Sequence, residues 1–332
     1  MKTIAFFSNK GGVGRTTLVY HLAWMFSELG LRVVAMDLDP QSNLTTMFLP
    51  PSRVEDLWAG TASGSTVLGA VQSLLDSQGD TMAPHVEDVD GIGVIPGDIG
   101  LHAFGDRLVT AWSHCLDEDP AKADEAFATM TAFHRVALRA AEQRGADVVL
   151  LDLGPAPDSI NRAALVATDF VIVPLGADLL SVIALRTLGP RLREWRDGWE
   201  HRRLQGNVPP GLPVPAGSMR PIGYTVLLHA VHAGPATTTS QQRLREISDA
   251  YREFVQGDAA TTASSGEDPH LLALLRAHRS LMLLAQEARK PIFALRPADG
   301  AMGGLARSVG DAYQDFERLA RRIAERCGIT IS

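Results

Sequence analysis

Nine residues near the amino terminus, Asn9-Lys10-Gly11-Gly12-Val13-Gly14-Arg15-Thr16-Thr17, constrain this chain more than any other feature. They follow the continuous apolar run Thr3 to Phe7, whose polar end at Ser8 and Asn9 predicts a strand buried on both faces. After them Leu18, Leu22, Phe26 and Leu29 recur at spacings of four, four and three, the period of a helix, which Gly30 closes. A strand, a glycine turn and a helix in that order aim successive backbone N–H groups and the positive end of a helix at one point, which makes an anion cradle. Arg32 to Met36 predicts a second strand with Asp37 at its carboxyl end, and strand, helix, strand with short connections is a right-handed parallel crossover.

Further strands are expected at Ile92 to Ile95, Asp147 to Leu151, Phe170 to Val173 and Ile222 to Leu228, with helical stretches between most of them. The fold class this implies is α/β in three layers, αβα, with a mostly parallel sheet and helices on both faces. Leu204 to Pro221 is rich in Pro and Gly and reads as an ordered surface excursion or a mobile loop; Gln256 to Pro269 is a second stretch of small residues. The strand from Ile222 lies between them and reads as a late member of the same sheet. Residues 1–332 are therefore expected to form a single elaborated domain carrying the loops 204–221 and 256–269.

Composition narrows the classes. With 45% hydrophobic and 21% charged residues the chain is globular rather than disordered, collagenous or coiled-coil. A formal net charge of -7 supplies no bulk positive field, so nucleic acid would have to be held by a local patch. Cys115 and Cys327 are too few for a disulfide framework or a four-thiolate metal site, as suits a reducing compartment. The first apolar run is too short for a signal peptide, and the longest stretches, such as Val148 to Leu151 and Phe170 to Val173, are broken by Asp or Pro well below the roughly 18 residues of a membrane helix. A soluble, cytoplasmic protein is expected.

The ordinary phosphate-binding loop reads G-x-x-x-x-G-K-[ST]. Here Gly14 and Thr16 fit it, Asn9 stands for the first Gly, and Arg15 stands for the Lys. The segment Lys10 to Thr17, KGGVGRTT, resembles the deviant Walker A sequence K-G-G-x-G-K-[ST]-[ST] of the ParA/MinD family of P-loop ATPases at every position but one. Asp37-Leu38-Asp39-Pro40-Gln41-Ser42-Asn43 is similar to the family's D-x-D-P-Q-x-N segment, which is typical of ParA partition ATPases of the Soj kind. Asp152, after the apolar run from Val148, resembles the Walker B aspartate, and Asn161 to Ile183 reads like the family's next helix, strand and loop. The resemblance is strong from Met1 to about Leu188 and weaker beyond.

Phosphoryl transfer to water is positioning and charge neutralisation, and the resemblance assigns each part. It implies that the amides of Gly11, Gly12, Val13, Gly14, Arg15 and Thr16 cradle the phosphates of ATP and that Thr17 contacts the α-phosphate. Thr16 would supply a hydroxyl to Mg2+, with Asp152 holding that ion through water and Asp37 beside it. Asp39 would orient the attacking water. Lys10 is the family's signature lysine, expected to cross the interface of an ATP-dependent homodimer and touch the partner's nucleotide. Arg15 is the departure: a planar guanidinium is not a compact ammonium, and binding could survive while turnover suffers.

The N-K-x-D signature of guanine binders is absent, so adenine is expected, with His229 and His232 as candidate base contacts or ordinary surface histidines. Non-specific DNA and a ParB-like stimulating partner are implied by the family. Arg191, Arg193, Arg196, Arg202 and Arg203 form the more basic patch, with Trp195 and Trp199 expected to face the core. On the last helix Arg307, Arg318, Arg321, Arg322 and Arg326 share their arc with Asp311, Asp315 and Glu325, which suits a solvated face laced with i,i+4 pairs better than a membrane-targeting helix. Two functions remain open: an ATP-controlled dimeric switch with slow ATPase activity that partitions DNA or positions cargo, and a nucleotide-locked regulatory or scaffold subunit in which Arg15 has removed useful hydrolysis.

Overall fold

A computed structural model describes residues 1–59, 64–76, 79–228, 238–258 and 268–331. Its strands are β1 (Lys2–Phe6), β2 (Val33–Asp37), β3 (Glu87–Val89), β4 (Ile92–Ile95), β5 (Val148–Asp152), β6 (Phe170–Gly176), β7 (Arg220–Leu228) and β8 (Leu271–Arg276). They make one sheet in the order β3-β4-β2-β5-β1-β6-β7-β8. Every neighbouring pair is parallel except β3 and β4. The α/β class with a mostly parallel sheet is as expected.

Side-chain alternation along the strands splits the core into two layers. Ile4 and Phe6 of β1 point to one side with Leu18, Leu22 and Phe26 of the first helix, Arg15–Glu28, and with Phe316 and Ile323 of the last helix, Gly304–Cys327. Ala5 and Phe7 point to the other side, which is covered by Phe104, Phe133, Ile160 and, from the long helix Leu179–Gln205, Trp195 and Trp199. Both tryptophans are buried in the core, as their spacing predicts.

Two strands were not foreseen in the sequence. β3 is three residues, Glu87-Asp88-Val89, half-exposed and paired only at one edge, so it carries no apolar alternation. β8, Leu-Leu-Ala-Leu-Leu-Arg, is rich in residues that favour helices and becomes a strand because β7 offers it a free edge. The first helix begins at Arg15 rather than Thr16. The stretch 204–221 gives its first residues to the long helix and its last to β7; between them it is pinned by the Trp199 indole N–H, which donates to the Pro215 carbonyl at 3.0 Å. Most of 256–269 lies outside the described residues.

Candidate phosphate-binding site

β1 sits in the middle of the sheet between β5 and β6, so the turn that leaves it opens at the carboxyl ends of the central strands, where α/β sheets bind ligands. Gly12 and Gly14 take left-handed φ values of 73° and 76°, which side-chain-bearing residues adopt only with strain. A Cβ on Gly11 or Gly12 would meet nothing within 4 Å, so the backbone faces open space. Gly14 is also the N-cap of the first helix and has no side chain to occupy the free N–H groups of the first turn. Together these make a cradle of undirected donors at the positive end of a helix. It lines a cavity of about 450 Å³ running from Gly11 to Thr17 and bordered by Asp39, Gln41, Asn43 and Pro155.

Strand order then brings the acidic residues to the cradle. β5 lies between β1 and β2, and its register sets Asp152 directly beside Asp37 on one side and Phe6 on the other. Asp152 is fully buried and neither carboxylate oxygen has a hydrogen-bond partner among the described residues. Burial, and then the neighbouring Asp37 charge, push its carboxyl well above the ordinary range, with Arg15 pulling the other way. Asp37 is equally buried but fully engaged: Oδ2 accepts from the Thr45 N–H at 2.9 Å and hydroxyl at 2.7 Å, and Oδ1 accepts from the Asp39 N–H at 3.2 Å. Its carboxyl is raised too, by burial, against the pull of those donors. Asp39 lines the cavity and accepts the Gln41 N–H at 3.0 Å.

Arg15 is 8% exposed and turns back under the cradle. Nη1 donates to the Ser8 carbonyl at 3.0 Å, Nη2 lies 3.7 Å from Asp39 Oδ2, and Nε lies 3.7 Å from Asp152 Oδ1 with no hydrogen-bond partner of its own. Burial lowers its pKa, and Asp152 and Asp39 oppose the shift. The guanidinium is thus the counter-ion of two buried carboxylates as well as a wall of the cavity. Lys10 reaches away from the cavity, with Nζ on Asp178 Oδ2 and 3.3 Å from the Ser181 hydroxyl.

The donor set fits magnesium as phosphate-bound nucleotides carry it: a hydroxyl at Thr16, an unsatisfied carboxylate at Asp152, and room for phosphate oxygens and water. No group of three or more His, Cys, Asp or Glu among the described residues could hold a metal unaided. A second cavity, also about 450 Å³, shares Val13, Gly14 and Thr17 with the first and is walled by Leu227, Leu275, His278, Met282 and Phe316. Leu275 and His278 were missed in the sequence because β8, which carries the first and leads into the second, was not read as a strand. His229 and His232 lie outside the described residues.

The basic stretch of the long helix is largely spent on its own fold. Arg193 donates to the Phe254 carbonyl, Arg202 to those of Trp112 and Gly198, and Arg203 to that of Ala216, while Arg191 pairs with Glu194. On the last helix Arg318 pairs with Asp315 three residues back and Arg321 with Glu317 four back, while Arg322 donates to the Leu272 carbonyl and Arg326 to those of Ile222 and Pro269, so only part of this face is the solvated, ion-paired one expected. Cys115 and Cys327 are free and buried. No helix among the described residues is long and apolar enough to cross a membrane.

Residues 1–202 match the AAA_31 family model, described as an AAA domain. IncC of Escherichia coli is 28% identical over 63% of this chain and 50% of its own length. The chromosome-partitioning ATPase Soj of Thermus thermophilus is 31% identical over 62% of this chain and 68% of its own. The matched segment therefore spans half of the first relative and about two thirds of the second. Among solved structures, McdA of Cyanothece in complex with ATP superposes with a TM-score of 0.62 at 17% identity, covering 99% of this chain and 97% of that one.

Proposed function

The chain belongs to the AAA-domain family and, within it, to the ParA/MinD group of P-loop ATPases, and from that premise we propose an ATP-controlled dimeric switch with slow hydrolysis, working in DNA partitioning or cargo positioning. The observation that carries this reading is the uncapped glycine cradle opening on a cavity of about 450 Å³ beside the unsatisfied Asp152 carboxylate.

In this reading the amides from Gly11 to Thr16 bind the β- and γ-phosphates, Thr16 and Asp152 hold Mg2+, directly and through water, and Thr17 meets the α-phosphate. Bound magnesium supplies charge neutralisation on the phosphates. The apolar cavity that continues from Thr17 suits a purine, with His278 and Phe316 as aromatic neighbours for the base. Asp39, which lines the cavity, would accept from a water on the phosphate side, and Asp37, with its oxygens held by Thr45 and Asp39, shapes the β2 end.

Slow turnover follows from Arg15. Its ion pair with Asp39 draws on the group that would orient water, and its bond to Ser8 turns the cation back under the glycine turn, where it would be less free to meet a phosphate. The same contacts favour the second reading, a nucleotide-locked subunit, which predicts binding without measurable turnover. Non-specific DNA and a ParB-like stimulator are proposed partners on the strength of the family; the tethered arginines of the long helix offer DNA little free charge.

Calorimetry with ATP and magnesium, followed by phosphate release with and without DNA, tests this. The parent should bind, and Thr16→Ala should lose magnesium-dependent binding. Equal affinity in parent and variant would show the cradle to be misassigned. Binding with no phosphate release under either condition would select the locked subunit.

A further inference from the structure

Lys10 and Asp178 meet at a point the site above does not use. Asp178 is the N-cap of the long helix: Oδ1 accepts the Ser181 N–H at 2.9 Å, and Oδ2 receives the Lys10 ammonium. Ser181 adds a second acceptor for Lys10 at 3.3 Å, and its own oxygen is fixed by the Gly176 N–H at 2.9 Å. The pair packs over Gly176, where a Cβ would come within 2.7 Å of Asp178 Oδ2 and 3.2 Å of Lys10 Nζ. One residue earlier in the chain, the Asn9 amide donates to the Thr187 hydroxyl at 2.6 Å, so the start of the glycine turn is tied to the helix at two levels.

The lysine is 18% exposed and the aspartate 43%, so the ion pair is partly shielded from water yet open at one side. Burial alone would raise the Asp178 carboxyl; the hydrogen bonds from Lys10 and Ser181 outweigh it and hold it below the ordinary range. The first turns of the same helix expose Leu179, Leu180 and Ile183 at 54%, 62% and 47%, an apolar surface beside the pair.

We propose that Asp178 is a positioning residue that holds Lys10 against its own chain, so that Lys10 reaches a nucleotide bound by a second copy only after this ion pair opens. The inference rests on the dimeric reading above. One ammonium cannot sit on Asp178 and on a phosphate across an interface at the same time, so the two uses compete. The opening of the pair subtracts from the free energy of association, and Asp178 thereby raises the protein concentration at which ATP drives dimer formation. The same carboxylate both caps the helix and holds the lysine, and these roles separate chemically: Asn and Ser also cap helices well but carry no charge.

The full chain as Asp178→Asn and Asp178→Ser tests this beside the parent. In nucleotide-free protein, acylation of Lys10 by acetic anhydride, read by peptide mass, should be faster in both variants. With ATP and magnesium, light scattering should place half-association at a concentration about threefold to tenfold lower in both, the range expected for a partly exposed ion pair. Unchanged Lys10 labelling would overturn the proposal, because the lysine would then not be held. Faster labelling with half-association unchanged would overturn it too, because the pair would not compete. A parent and variants that all stay monomeric with ATP would remove the dimeric reading, and the proposal with it; the labelling arm tells that failure from a failure of the ion pair.

Discussion

At the scale of the residue, the proposed function turns on Arg15. It replaces the lysine of a phosphate-binding loop, and its deviation was readable in the sequence, but its direction was not: no spacing rule says that a guanidinium will reach Ser8 and stand between Asp39 and Asp152. Two consequences follow. Arg15→Lys keeps a cation in the loop while freeing Asp39, so phosphate release should rise by up to about 100-fold, the rough worth of one well-placed transition-state contact. ATP affinity measured by calorimetry should change little, and a rate that stays flat or falls would mean that the site is built around the guanidinium. Arg15→Ala removes the counter-ion from two buried carboxylates and should lower stability by about 3 kcal/mol in urea unfolding, the usual cost of breaking a buried pair from one side. Equal midpoints for parent and variant would assign Arg15 to the nucleotide alone.

At the scale of the element, legibility followed hydrophobic pattern. β1, β2, β5, β6 and β7 carry continuous apolar runs because they are covered on both faces, and each was found within a few residues of its expected bounds. The carboxyl ends of those strands carry Asp37 and Asp152, so most of the phosphate side of the site was readable as well. The second, apolar cavity was not, because it depends on β8, whose leucines encode no strand without the neighbouring β7. The Asp178 contact to Lys10 was likewise hidden, being 168 residues away in sequence. The segment after the long helix makes the same point from the opposite direction. Its Pro and Gly content suggested a mobile loop as readily as an ordered one, and what orders it is the Trp199 indole together with Arg203 on the Ala216 carbonyl and Val208, Leu212 and Val214 packed on the core. Gly217 has a left-handed φ of 66°, and a Cβ there would lie 2.2 Å from Trp199 Cδ1. Gly217→Ala should therefore cost about 2–4 kcal/mol, combining backbone strain with overpacking. A melting temperature within one degree of the parent would show that the segment is free to move off the indole.

At the scale of the whole molecule, the layer holding the first helix is closed by the chain's carboxyl-terminal third, and His21 is where the two are joined. This histidine is fully buried on the helix that leaves the glycine turn. Its Nδ1 lies 2.7 Å from the Thr17 carbonyl, which can only accept, so Nδ1 carries the proton; its Nε2 accepts the Ile292 N–H at 3.1 Å. The ring stacks on Phe316 of the last helix, with centroids 4.9 Å apart, and meets Phe293 edge-on. A neutral imidazole satisfies both partners, whereas a second proton on Nε2 would face the Ile292 N–H in an apolar layer. Burial accordingly lowers the His21 pKa to about 4, against the pull of Thr17 and helped by His278. Because the unfolded chain takes up this proton near the ordinary value of about 6.5, stability from His21 is complete above that pH and is lost as pH falls toward 4. The loss amounts to about 3 kcal/mol in all, at a slope of roughly 1.4 kcal/mol per pH unit. His134, His270 and His278 are also lowered by burial, and the raised carboxyls of Asp37 and Asp152 act with the opposite sign, so the parent's profile alone cannot isolate one ring. Comparison with His21→Leu does so: the variant should be less stable at pH 7, since the Ile292 N–H loses its acceptor, but its loss between pH 6.5 and 4.5 should be smaller by close to one proton's worth. Urea unfolding at several pH values across that range measures both quantities. Parallel profiles for the two proteins would mean that His21 is already protonated in the folded chain, and that the carboxyl-terminal third is joined to the first helix without a neutral imidazole.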